Sequence, residues 1–267
     1  MLALRRTRTT AEHEAPPEGV PVLTVEDVSV RFGGVQAVSE ANITALHGQV
    51  TGLIGPNGAG KTTTFNVITG LEQPTSGRIL LAGRDISRLG PYQRARLDMA
   101  RTFQRLEVFG SLTARETVLA AAEFRRGWSR DGRDPQGVAD ELLERVGLLS
   151  VAHERVDALP TGLARLVELG RALATRPRVL LLDEPASGLD STESEALGDL
   201  LVDLAADGVA VLVVEHDVEL VMRVCDRVHV LDFGRIISVG TPREVQNDPA
   251  VQAAYLGAED PDEGEAA

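Results

Sequence analysis

The chain has 267 residues, 43% of them hydrophobic and only 3% aromatic, enough for a sizeable core in one large domain or two lobes. Its formal net charge of -13 argues against a broad nucleic-acid surface, which needs clustered Lys and Arg against the phosphates, so no nucleic-acid partner is expected. The lone cysteine, Cys225, excludes an intramolecular disulfide and a cysteine-cluster metal site, and reads as a buried small residue.

Residues 1–21 carry arginines without a following apolar segment, so they read as a disordered tail rather than an export signal. From Val22 apolar and polar residues alternate up to "VTGLIG", with turn glycines at Gly33, Gly34 and Gly48, which predicts a run of strands, then a glycine loop and a helix. "GRILLAGRDI" predicts a further strand pair. From about Gly90 to Leu159 the pattern turns mostly helical, with "ARETVLAAAEFRR" and "VADELLERVGLL" on either side of a polar loop, "GWSRDGRDPQG", that holds Trp128. Then come a helix over 162–175, the strand "VLLLDEP", a helix from Thr192 to Asp207, the strand "VAVLVVEHD", a helix over 217–225 and the hairpin "RVHVLDFGRIISVG". "VQAAYL" suits a short helix, and residues 258–267 read as an acidic tail. The longest apolar runs are strand-sized, far short of the roughly 18 to 20 residues of a membrane span, so the chain is expected not to cross a bilayer alone. Alternating strands and helices predict an α/β fold with a mostly parallel sheet and an inserted helical lobe.

"GPNGAGKTT" (Gly55, Pro56, Asn57, Gly58, Ala59, Gly60, Lys61, Thr62, Thr63) matches GxxxxGK[ST] between a predicted strand and a predicted helix. Glycines there let backbone N–H groups converge on an anion, and the helix N-terminus adds partial positive charge. Lys61 is expected on the β- and γ-phosphates of a nucleotide and Thr62 on Mg2+. The strand "VLLLDEP" delivers Asp183 to the carboxyl end of the sheet to hold the metal through water, and leaves Glu184 to orient or deprotonate an attacking water. His216 follows a second apolar strand, and the same edge would bring it beside Glu184 and the γ-phosphate. His229, between valines, and His47, in a turn, read as structural.

With these residues the sequence resembles the ATP-binding-cassette ATPases over about residues 22–257. That resemblance implies a P-loop NTPase domain with a RecA-like core, an antiparallel β subdomain and a helical lobe over about 90–165. It implies ATP and Mg2+ as ligands. Gln104 in "TFQ" stands where the family senses the γ-phosphate and metal, Phe32 where an aromatic stacks on adenine, and "SGLD" (Ser187, Gly188, Leu189, Asp190) where a loop crosses the dimer interface. "VRFGGVQAV", "GLEQPTSGRILLAGRDI", "ARTFQ" and above all "DPAVQAAYLG" are most similar to the ATPase subunits of importers of branched-chain amino acids and related amides. A lipopolysaccharide-type exporter ATPase would share the catalytic residues but is expected to lack the "AYLG" ending, and a soluble cassette acting on ribosomes or DNA would carry two cassettes or a coiled-coil insertion. The implied partners are two membrane permease subunits, a second ATPase subunit, different in sequence rather than identical, and an external solute-binding protein reached indirectly. The implied location is the cytoplasmic face of the cell membrane. Phe109, Leu106 and Val108 are expected either to line a groove for a loop helix of the permeases or to belong to the core of the helical lobe.

The family's signature, LSGGQ in its common form, corresponds here to Leu159, Pro160, Thr161, Gly162 and Leu163, with Leu166 in place of an arginine. Only the leucine and the second glycine are kept. The helix near Gly162 still offers its amide dipole, so this half-site is expected to close over nucleotide, either stabilising the transition state less well or remaining fully competent through its backbone amides.

Overall fold

A computed structural model describes residues 19–103, 109–129 and 132–256. Two sheets carry the chain. The first is antiparallel, in the order β2-β1-β4-β5, from β1 (Pro21–Phe32), β2 (Val35–Leu46), β4 (Ser76–Leu81) and β5 (Arg84–Asp85). The second has the order β10-β9-β3-β8-β7-β6, from β3 (Val50–Ile54), β6 (Met99–Arg101), β7 (Val179–Asp183), β8 (Ala210–Val214), β9 (Arg227–Asp232) and β10 (Arg235–Gly240). Only β10 runs antiparallel to its neighbour there.

Every residue of β3, β7 and β8 is buried, as expected of parallel strands covered on both faces. The period of two then divides the core. Leu180, Leu182, Val211 and Val213 join the cluster of the helical lobe, while Val179, Leu181, Leu212 and Val214 join that of the antiparallel sheet.

The helices are α1 (Lys61–Thr69), α2 (Pro91–Ala95), α3 (Ala114–Trp128), α4 (Pro135–Arg145), α5 (Thr161–Ala174), α6 (Ser191–Ala206), α7 (Val218–Val224), α8 (Pro242–Gln246) and α9 (Pro249–Leu256). Thr113, Asp134, Asp190, Asp217 and Thr241 cap α3, α4, α6, α7 and α8 with side-chain oxygens. Neither α1 nor α5 has a side-chain cap.

Two placements differ from the sequence pattern. The stretch that reads as helical from Gly90 contains β6, which pairs with β7 in the central sheet; three residues are too few to show a period. Trp128 lies not in the polar loop but at the end of α3, with its indole N–H buried and without a hydrogen-bond partner.

Arg94, 1% exposed, ties α2 to α1 and to the antiparallel sheet. Its Nη1 donates to the carbonyls of Val67 and Ile68 at 2.6 Å each, Nε to Leu89 at 2.8 Å and Nη2 to Ser87 at 3.0 Å. Burial pulls its pKa down to about 10, against the attraction of Asp85. Two of those acceptors are carbonyls of the last turn of α1, where helical donors run out; Val67 also accepts the Gly70 N–H at 3.2 Å.

His229, in β9, is buried as its setting between valines implies. Desolvation, with Arg227 nearby, lowers its imidazole pKa to about 4; a contact with the Thr44 backbone offsets this only in part and falls short of hydrogen-bond geometry. A depressed folded-state pKa gives stability that is full above the ordinary value of 6.5 and is lost as pH falls towards 4. At about 1.4 kcal/mol per unit, wild type should lose roughly 3 kcal/mol relative to His229→Leu between pH 7 and pH 4. Urea unfolding of both proteins across that range measures the difference, and parallel pH profiles would refute it.

Candidate nucleotide site

Lys61, Asp183 and His216 all lie at or just beyond the C-terminal ends of the parallel strands β3, β7 and β8, at the edge where open α/β sheets place ligands. The loop Gly55–Gly60 leaves β3 and enters α1. It is pressed against its neighbours: a Cβ on Gly55 would lie 2.0 Å from the Leu231 carbonyl oxygen, and one on Gly60, at φ 106°, 2.6 Å from that of Ala37. The turn after β9 supports it further, since Gly234 N–H donates to the Ala59 carbonyl at 2.8 Å. Asn57 and Gly58 are exposed, Ala59 is buried, and Pro56, Lys61 and Thr63 are half-buried; the exposed Thr62 stands in the first turn of α1.

The Lys61 ammonium donates to the carbonyls of Gly55 at 2.6 Å and Pro56 at 3.0 Å, so it is folded over the loop. Burial lowers its pKa, while Glu184 and Asp183 pull it back up. Those two carboxylates are therefore close enough for their charge to be felt at the loop.

Asp183 ends β7 with 2% of its side chain exposed. Burial raises its pKa above the ordinary carboxyl range, opposed chiefly by Arg101, whose Nη2 donates to Oδ2 at 2.8 Å. Glu184 does not continue the strand. Its φ of 50° turns the backbone, although its N–H still donates to the Val214 carbonyl at 2.9 Å. A non-glycine residue in the left-handed region costs about 1 kcal/mol or more, and such strain is concentrated at functional positions. His216 lies two residues beyond β8 with 69% of its side chain exposed.

Phe32 closes the β1–β2 hairpin, half exposed, opposite Val35. Gln104, Leu106 and Val108 lie outside the described residues.

Leu159 to Leu163 and Ser187 to Asp190 are brought side by side. A Cβ on Gly162 would come within 2.7 Å of the Leu189 side chain and 3.1 Å of the Gly188 carbonyl oxygen, and one on Gly188 would meet Thr161. Pro160 occupies the N-cap of α5 and supplies no side-chain bond, which leaves that helix end to its backbone amides. Leu163 and Leu166 are half-buried against the helical-lobe core, so apolar packing stands where the common signature has polar groups.

Two charged residues of the site give no signal in the sequence. Glu215, 1% exposed, accepts from Ala186 N–H at 2.8 Å and His216 N–H at 3.1 Å, which links the turn after Glu184 to His216. Burial raises its pKa and these bonds oppose the rise. Arg101, at the end of β6, donates from Nη1 to Asn66 Oδ1 at 2.7 Å and Thr69 Oγ1 at 3.2 Å, in addition to its bond with Asp183.

Comparison with known proteins agrees with this geometry. The family model described as ABC transporter matches residues 38–187, and a second, described as branched-chain amino acid ATP-binding cassette transporter, matches 235–261. The chain is 40% identical over 250 residues to the high-affinity branched-chain amino acid transport ATP-binding protein BraF of Pseudomonas aeruginosa, covering 89% of this chain and 98% of that one. It is 36% identical over 236 residues to the lipopolysaccharide export system ATP-binding protein LptB of Haemophilus influenzae, covering 88% and 97%. An ATP-binding cassette of an ABC transporter in its ADP conformation superposes with a TM-score of 0.79 at 28% identity, covering 91% of this chain and all of that one (100%). A tight glycine loop entering an uncapped helix, acidic groups at the facing strand end and kinship over most of its length identify the chain as an ATP-hydrolysing member of the ABC transporter family.

Proposed function

We propose that the chain powers uptake of branched-chain amino acids or related small amides, at the cytoplasmic face of the membrane, through two separate permease subunits. It works beside a second ATPase subunit of different sequence, and a solute-binding protein outside the cell reaches it only through the permeases. The match over 235–261, covering β10, α8 and α9, favours import over lipopolysaccharide export, since that segment is matched by a model named for branched-chain amino acid cassettes. Among the described residues no helix is long and apolar enough to cross a membrane, in keeping with a peripheral subunit.

The donor set fits Mg2+ bound with nucleotide. Among the described residues no group of three or more His, Cys, Asp or Glu could hold a metal alone, so a hard cation here would draw oxygen ligands from phosphate, the Thr62 hydroxyl and, through water, Asp183. Gln104 is assigned to the same cation. When bound, Mg2+ neutralises charge on the phosphates. Lys61 and the amides of residues 55–63 grip the nucleotide, and Phe32 stacks on its base. Glu184 accepts the proton of the attacking water and His216 holds that water in line. Across the dimer, the amides at the start of α5 face the partner's phosphates, and Ser187 to Asp190 complete the contact.

An apolar cavity of about 530 Å3 between the core and the helical lobe is lined by Leu71, Tyr92, Phe103, Phe109, Phe124 and Trp128, and it suits the permease loop helix. Tyr92, Phe109 and Phe124 are each about two-thirds exposed, which is costly for an aromatic cluster left without a partner.

Disrupting the gene should abolish energy-dependent uptake of labelled leucine, isoleucine and valine or of small amides. The wild-type chain should restore it and Lys61→Ala should not. Unchanged uptake of all these solutes would overturn the assignment.

A further inference from the structure

Arg101 joins the Asp183 strand end to α1 and to the apolar groove. Its guanidinium is buried, with 7% of the side chain exposed, and it pairs with Asp183 through Nη2. Nη1 reaches Asn66 and Thr69 on α1, the helix that begins with Lys61 and Thr62, and Nε donates to the Thr102 carbonyl at 3.2 Å. The guanidinium carbon lies 4.8 Å from the Phe103 ring centre and 5.5 Å from that of Phe65. Arg101 and Phe103 also line the apolar groove, together with Trp128. A second bond ties the same segment to the same strand end, since Asp183 N–H donates to Thr102 Oγ1 at 3.3 Å.

We propose that Arg101 is a positioning residue that fixes the Asp183 carboxylate for the divalent cation and transmits occupation of that metal site to the wall of the groove. The inference rests on Asp183 as a metal ligand. With Oδ2 held by the guanidinium, the carboxylate has one rotamer, and Oδ1 is the oxygen left for the metal's water. A cation drawing on that carboxylate weakens its bond to Arg101 and repels the guanidinium. The guanidinium lies over the rings of Phe65 and Phe103, so its displacement shifts the packing of Phe103, a groove residue. Removing a residue that orients a metal ligand commonly costs 10-fold to 100-fold in metal affinity.

The test uses the full chain loaded with ADP, which leaves hydrolysis out of the readout. Mn2+ affinity is measured by electron paramagnetic resonance, and Mg2+-dependent change in tryptophan emission reports on the groove through Trp128, the single tryptophan. Wild type should show the emission change. Arg101→Gln should bind Mn2+ about 10-fold more weakly, beyond any change in its own metal-free ADP affinity measured alongside, and lose the emission change. If Arg101→Gln fails to fold, Arg101→Lys carries the same test, because an ammonium cannot reach Asp183 and α1 together. A wild-type protein without the emission change, or a folded variant with wild-type affinity and emission response, would overturn the proposal. Asp183→Asn separates the two readings: unchanged Mn2+ affinity there would refute Asp183 as a ligand, whereas a loss there but not in the Arg101 variant would refute the role of Arg101 alone.

Discussion

Glu184→Gln is expected to lower steady-state ATP hydrolysis by about 100-fold to 10,000-fold, the range that a positioned general base contributes, while nucleotide still binds. The substitution keeps size and hydrogen-bonding capacity and removes only the charge and the proton affinity. The backbone that presents residue 184 does not depend on either, because it is held by the N–H bond to Val214 and by the Ser187 N–H donating to the residue 184 carbonyl at 3.2 Å. Lys61, which feels the charge of both Glu184 and Asp183, keeps the nearby carboxylate of Asp183. Phosphate release and equilibrium binding of a fluorescent nucleotide, measured on the same preparation, separate the two effects. Hydrolysis within a few-fold of wild type would remove Glu184 from the mechanism.

The largest effect on stability should come from Arg94. Arg94→Met keeps much of the aliphatic stem but leaves four buried or half-buried carbonyls, those of Val67, Ile68, Ser87 and Leu89, without this donor. Val67 keeps the Gly70 N–H, so at about 1 to 3 kcal/mol for each of the other three acceptors left unpaired, partly relieved by relaxation, the loss should be about 4 kcal/mol. For a chain of this size that is a fall of roughly 10 °C in the unfolding midpoint. Scanning calorimetry measures it. A shift under about 3 °C would mean that other donors or water satisfy these carbonyls. Because two of the four belong to the last turn of α1, nucleotide affinity should fall as well.

The tight glycine loop between β3 and α1 was legible because its geometry accepts few residue types: the contacts of Gly55 with Leu231 and of Gly60 with Ala37 leave no room for a side chain. The placement of Asp183 and His216 at strand ends was legible because fully apolar strands lead to them, and in open parallel sheets such ends form the edge where ligands bind. Arg94 and Arg101 were not. In "QRAR" and "ARTF" an arginine looks like any solvated charge, and its partners lie up to 27 residues away for Arg94 and 82 for Arg101. Glu215 was hidden in the same way beside His216. β6 escaped because it is a strand only by pairing with β7, and Trp128 because α3 runs on into a stretch whose Gly, Ser and Arg read as loop. Leu163 and Leu166 read as losses from a polar signature, and the structure adds that they pack against the lobe core.

Five helices begin with a side chain that satisfies their first amides, whereas α1 and α5 begin with Gly60 and Pro160, which cannot. The usual route to a hardier protein is therefore closed at these two places. An aspartate at position 160 would strengthen the isolated chain by about 1 kcal/mol, the ordinary worth of a cap, but its carboxylate would occupy those first amides and repel any anion that approaches them. These two helix starts are less stable than a capping residue could make them, a deficit that an anion bound at their amides would recover.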